Sequence, residues 1–182
     1  MHCQQYLALI TVKLVAHANS QLALQMKAYL RNQFEFLGIQ TPTRRAIYKD
    51  LPAIQKLLQT DSWWQTVDSR SNAIGDIVLN DKLQNRDSQN FMDEWLLNSD
   101  FWVRRSAMIH QLGWRQHTDT DRLSHYAMQL SGESEFFIRK AIGWAFRDYS
   151  KHDPVFVRSF MDKNGASFSN LTVSEATKNL KQ

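Results

Sequence analysis

Trp64 and Asp68 stand four residues apart. On a helix that spacing puts an indole and a carboxylate on one face, so a single wall presents an aromatic ring and an acid together. Basic residues form a second constellation: Arg104 and Arg105, then Arg139 and Lys140, with Arg147, Lys151 and Arg158 beyond. Neighbouring helical residues are about 100° apart, so one member of each doublet points into a groove and the other flanks it. Repeated cations on a curved surface suit a phosphate backbone better than one compact anion. The plain alternative is a solvated basic face. Metal chemistry finds no ligand set: His17, His110, His117, His125 and His152 form no i, i+4 pair, no H-E-x-x-H and no site with cysteines. With no Walker loop, G-x-G-x-x-G turn or G-x-S-x-G elbow, neither a nucleotide cofactor nor a serine nucleophile is expected.

The elements that must position these residues read as helices. Leu22, Met26, Tyr29, Leu30, Phe34 and Leu37 recur at steps of three and four and stop at Gly38, a helix C-cap signal. Ile54, Leu57 and Leu58 repeat the pattern after Pro52, and Leu123, Tyr126, Ala127 and Leu130 repeat it after Asp119 and Asp121. Strand-type alternation is nearly absent, which predicts an all-α fold. Self-similarity sharpens this. Asp100-Phe101-Trp102-Val103-Arg104-Arg105-Ser106-Ala107 aligns with Glu135-Phe136-Phe137-Ile138-Arg139-Lys140-Ala141-Ile142 at an offset of 35 residues. A weaker copy, Ser62-Trp63-Trp64-Gln65-Thr66-Val67-Asp68, has its aromatic pair 38 residues before Phe101. Periods of this size predict a HEAT-like helical repeat solenoid with a concave basic groove. Ser62, Asp100 and Glu135 stand where helix caps would. In this alignment Asp68 matches Ser106 and Ala141, small residues that keep a face clear for something bulky.

The whole chain bounds the choice. Its 182 residues fit one repeat domain, 1–182, and 43% hydrophobic with 22% charged residues excludes a disordered or fibrous chain. The net charge of +4 favours polyanions where the excess clusters. Cys3 stands alone, so a reduced, cytoplasmic compartment is expected, and no apolar run reaches membrane-span length.

Four ordered motifs carry a resemblance: Tyr29-Leu30-Arg31-Asn32-Gln33-Phe34-Glu35-Phe36-Leu37-Gly38-Ile39-Gln40-Thr41-Pro42 with Arg44-Arg45; Ser62 to Asp68; Phe101 to Arg105; and Phe136 to Tyr149. Over most of its length the chain resembles the AlkD-type DNA alkylation repair glycosylases. The resemblance implies a HEAT-like fold and removal of cationic alkylated purines, such as 3-methyladenine and 7-methylguanine, from duplex DNA. It implies no metal and no nucleotide cofactor. By motif, Asp68 corresponds to the catalytic aspartate, Trp64 and Trp144 to the tryptophans against the lesion's deoxyribose, and Tyr29 to a cleft tyrosine. Arg105 and Arg147 correspond to positions facing DNA, and Arg104, Arg139 and Lys140 are further candidates for the phosphates. Between Arg45 and Ser62 the family normally has about one further helix pair, missing here around Lys49-Asp50 as a lost repeat or as a segment outside the chain as given. The stretch Leu171–Ala176 also lacks the arginines often found there.

The implied chemistry suits these residue types. An alkylated purine is already a cationic leaving group, and positive charge moves onto the sugar as the glycosidic bond breaks. A carboxylate about 4 Å away favours that oxocarbenium-like state by up to about 4 kcal/mol at an effective dielectric of about 20, roughly a thousandfold in rate. Tryptophan faces add about 0.5–2 kcal/mol of cation–π attraction. A monomeric base-excision enzyme on alkylated double-stranded DNA is therefore expected. Two other readings keep the fold: a non-catalytic DNA-binding relative for distorted or branched duplexes, and a protein-binding scaffold.

Overall fold

Short-range signals set most of the helix starts in the computed structural model, which describes residues 48–60, 62–84 and 86–180. These belong to the second of two compact units, Ile47–Gln182. The stripe from Leu22 to Leu37, its cap Gly38 and Tyr29 lie outside the described residues.

The described residues hold eight α-helices and no strand. They are α1 (Leu51–Leu58), α2 (Trp64–Leu83), α3 (Gln89–Trp95), α4 (Phe101–Ile109), α5 (Thr120–Gln129), α6 (Phe136–Tyr149), α7 (Pro154–Asn164) and α8 (Asn170–Ala176). Pro52 lies in the first turn of α1, where its missing N–H costs nothing. Side-chain caps start α4, α5, α6 and α7. Asp100 accepts from the Trp102 N–H at 2.8 Å, Asp119 from Arg122 at 3.0 Å, Glu135 from Phe137 at 3.3 Å and Asp153 from Phe156 at 2.9 Å. Each such cap is worth about 1 kcal/mol.

Helix α2 starts differently. Trp63 holds the cap position and donates its N–H to Thr66 Oγ1 at 3.2 Å. Ser62 donates its hydroxyl back to the Leu58 carbonyl, closing α1 instead of capping α2. The aromatic pair therefore straddles the cap in α2 but fills the first two positions of α4 and α6. This corrects the repeat register. Counted from the helix start, Asp68 shares the fifth position with Arg105 and Lys140, not the sixth with Ser106 and Ala141.

Helices α2, α4, α6 and α8 pack each on the next in chain order, while α3, α5 and α7 pack against α4 and α6 from a second row. This is the expected all-α, repeat-like solenoid. Its core is the seam between the rows, where Ile74, Val103, Ile138, Ile142 and Phe146 are buried, and Phe146 stacks on Phe160 of α7 at 4.6 Å. Small residues let the first row close up. Ser71 and Ser106 hydroxyls meet at 2.8 Å between α2 and α4. A Cβ on Gly75 would lie 2.1 Å from the His110 carbonyl oxygen, and one on Gly143 would lie 2.6 Å from Glu175 Cβ.

Behind this row lies a buried polar chain. His110 contacts the Ala107 carbonyl through Nδ1 at 2.6 Å, so that nitrogen carries the proton. The Gln89 amide lies 3.2 Å from His110 Nε2 and donates to Tyr126 Oη at 3.1 Å, while Tyr126 donates to Asp93. Burial pushes the His110 pKa down to about 4. No described helix is long and apolar enough to cross a membrane.

Candidate active site

One charged residue per helix runs along the first row: Asp68 on α2, Arg105 on α4, Lys140 on α6 and Glu175 on α8. They resolve into two ion pairs. Arg105 grips Asp68 with two prongs, Nε to Oδ1 at 2.9 Å and Nη2 to Oδ2 at 3.0 Å. The side chains are only 14% (Asp68) and 5% (Arg105) exposed. The remaining prong, Nη1, donates to the Phe137 carbonyl at 2.6 Å. The guanidinium carbon lies 6.0 Å from the ring centres of both Phe137 and Trp144.

The corrected register explains the pair. Residues at the fifth position of neighbouring helices face each other across a row held close by Ser71, Ser106 and Gly75. Burial pushes the Asp68 carboxyl above the usual aspartate range, and the hydrogen bonds and charge of Arg105 offset only part of that. A bidentate guanidinium also fixes the plane in which the carboxylate lies.

The aromatic residues gather at the same end of the row. Trp64 opens α2 one turn before Asp68 and is 39% exposed, and Trp63 beside it is 44% exposed. Trp63 meets Phe137 edge-on at 6.4 Å, and Trp102 lies 4.9 Å from Phe137. Trp63 and Trp64 thus offer exposed apolar rings one turn from a buried acid–guanidinium pair.

Of the remaining predicted cations, Arg104, Lys140 and Arg147 are also engaged in ion pairs. Arg104 pairs with Glu133 at 2.7 Å and donates to the carbonyls of Asn98 and Ser99 at 2.7 and 2.9 Å. Lys140 reaches Glu175 at 2.6 Å, and Arg147 binds the other oxygen of the same carboxylate. Arg139 is half-buried, and its carbonyl accepts from Thr172 Oγ1 at 3.1 Å. Burial raises the Glu175 pKa, but the hydrogen bonds of Lys140 and Lys178 and the charge of Arg147 outweigh it and bring it below the usual range.

The structure thus brings together Asp68, Arg105 and Trp144, with Trp64 on the Asp68 face; Tyr29 falls outside the described residues. Sequence reasoning missed Glu175 and the Phe137 carbonyl. Glu175 was findable, since it follows Lys140 by 35 residues, the repeat offset itself. A backbone carbonyl leaves no trace in residue types. Among the described residues no three His, Cys, Asp or Glu side chains gather as a metal site.

Comparison with known proteins places the chain. No curated protein matches it. A solved structure from Enterococcus faecalis, described as a predicted DNA alkylation repair enzyme, is similar: it is 23% identical, covers 98% of this chain and 84% of its own, and superposes with a TM-score of 0.68. At that identity the likeness carries the fold. The model of a family described as DNA alkylation repair enzyme matches residues 10–59 and 49–180. With that match spanning nearly the whole length, the chain belongs to the DNA alkylation repair enzyme family.

Proposed function

We propose that the protein is a DNA N-glycosylase that releases cationic alkylated purines, such as 3-methyladenine and 7-methylguanine, from duplex DNA. The observation that carries this reading is the buried, bidentate Asp68–Arg105 pair beside Trp144, with Trp64 one turn away on the Asp68 helix. Asp68 stabilises the sugar cation that forms as the base departs, and the indoles of Trp64 and Trp144 flank the deoxyribose. The base leaves without a proton from the protein, because the lesion already carries the charge, and water then adds to the sugar cation and releases one proton to solvent. Arg147, Lys140, Arg104 and Arg139 serve the phosphate backbone.

Arg105 takes a positioning role here, and its charge tempers the chemistry. A sugar cation about 4 Å from the carboxylate gains about 4 kcal/mol at a dielectric of about 20, and a guanidinium about 8 Å away on the far side returns about 2. The remaining 2 kcal/mol is roughly thirtyfold in rate, less than an unpaired acid would supply. Selectivity survives this reduction, since a neutral base lacks the leaving-group ability on which the reaction depends.

Asp68→Asn is the test. Because Asn removes the whole carboxylate contribution of about 4 kcal/mol and leaves Arg105 in place, release of 7-methylguanine from methylated duplex falls about a thousandfold while duplex affinity changes little; unchanged release rejects the assignment. The occupation of both Asp68 oxygens by Arg105 favours one other reading, a non-catalytic binder of distorted duplexes. That reading predicts duplex binding with no base release from the wild type.

A further inference from the structure

The other end of the charged row holds a feature that the proposed chemistry does not use. Glu175 is 4% exposed at its side chain, yet three cations converge on it. Lys140 comes from α6 at 2.6 Å and Lys178 from the turn after α8 at 3.2 Å, both on Oε2; Arg147, also from α6, takes Oε1. The cluster carries three positive charges against one negative. The cations are open where the acid is not: their side chains are 35% (Lys140), 28% (Arg147) and 53% (Lys178) exposed.

Chemistry fixes what such a cluster can do. An ammonium has three N–H donors and a guanidinium five, so one bond each to Glu175 leaves most of them free. Three cations without an acid beneath them would repel and splay. With their heads drawn to two oxygens of one carboxylate, they stay within a few ångströms of one another. A ligand that takes up their free donors must be a compact, strongly accepting anion. It reaches the cations from solvent, because Gly143 of α6 lies against the Glu175 side chain on the protein side.

We infer that Glu175 is a positioning residue that gathers Lys140, Arg147 and Lys178 into one binding site for a DNA backbone phosphate, with Lys178 a phosphate contact in its own right. This rests on the DNA reading above and deepens it. The site explains how α8 takes part in holding the duplex although Leu171–Ala176 carries no arginine. The segment supplies the acid that organises cations from its neighbours.

The sign of one substitution separates this from simple charge. Glu175→Gln makes the protein one charge more positive, so a Coulombic view has it bind duplex more tightly. Positioning has it bind about three- to tenfold more weakly, because the ordering of the side chains must then be supplied at binding. Lys178→Ala, on an exposed side chain, removes one phosphate contact. Its affinity loss between 50 and 200 mM salt should be about 3.5-fold smaller than that of the wild type, from a slope lower by about 0.9.

The experiment is a salt titration of the full chain on an unmodified duplex, followed by fluorescence anisotropy, with thermal melts of each variant alongside. Weaker binding by folded Glu175→Gln together with the shallower slope of Lys178→Ala supports the inference. Equal or tighter binding by Glu175→Gln, or a wild-type slope in Lys178→Ala, overturns it while leaving the DNA reading intact. Where Glu175→Gln fails to fold, the Lys178→Ala slope decides. No duplex binding by the wild type overturns the DNA reading itself, and the inference with it.

Discussion

Arg105→Met keeps most of the volume of the side chain and deletes its charge and its three hydrogen-bonding contacts. Asp68 is then left as a carboxylate 14% exposed with no guanidinium, and the Phe137 carbonyl loses its 2.6 Å donor. Breaking a buried pair from one side costs about 3–5 kcal/mol, against a total stability of about 5–15 kcal/mol for a domain. For a chain of this length that corresponds to a fall in melting temperature of about 6–20 °C. The assay is urea unfolding at pH 7 and again at pH 5. Burial already raises the carboxyl pKa and without Arg105 it rises further, so the orphaned acid takes up its proton more readily than in the wild type and the deficit shrinks as the pH falls. Adding Asp68→Asn to Arg105→Met removes the stranded charge and recovers more than 1 kcal/mol. Two single effects that sum to the double effect within about 0.5 kcal/mol, or a deficit independent of pH, would refute the energetic coupling of the pair.

Other outcomes follow from the packing. His110 stays neutral in the native state down to about pH 4 while the unfolded chain takes up its proton near pH 6.5. Stability is therefore lost as pH falls through that window, by about 3 kcal/mol. Chemical denaturation of His110→Gln should show a flatter profile between pH 6.5 and 4, and equal acid loss in both proteins would contradict this. Gly75→Ala forces a methyl against the His110 carbonyl oxygen, a backbone atom that cannot swing away, so it destabilises by about 1–3 kcal/mol or more. A melt within 1 °C of wild type would refute that contact.

The helices and their order were legible because their signals are local. Asp100, Glu135 and Asp119 cap where their positions before apolar stripes predict, and the 35-residue offset between α4 and α6 is read correctly from the motif. The weaker copy misled by one position because an aromatic pair marks the start of a helix only loosely. Trp63 occupies the cap itself, and Thr66 completes it in place of Ser62. That single slip hid the partner of Asp68, since it aligned the acid with serine and alanine instead of arginine and lysine. The motif resemblance assigned Arg105 to DNA but carried no information on depth, and the structure pairs the side chain with Asp68. Its burial depends on how closely α2 and α4 approach, which Ser71, Ser106 and Gly75 decide together. The 35-residue offset that links Lys140 to Glu175 was in the sequence, but the additional grip of Arg147 and Lys178 on the same carboxylate depends on how closely α6 and α8 pack.

A guanidinium that belongs to α4, holds an acid of α2 and bonds a carbonyl of α6 joins three neighbouring helices of the first row at one carbon atom. Anything that draws Asp68 aside must shift that joint, and a shift there is felt two helices away at Phe137. The placement of Asp68 and the spacing of α4 and α6 are thereby tied through one side chain.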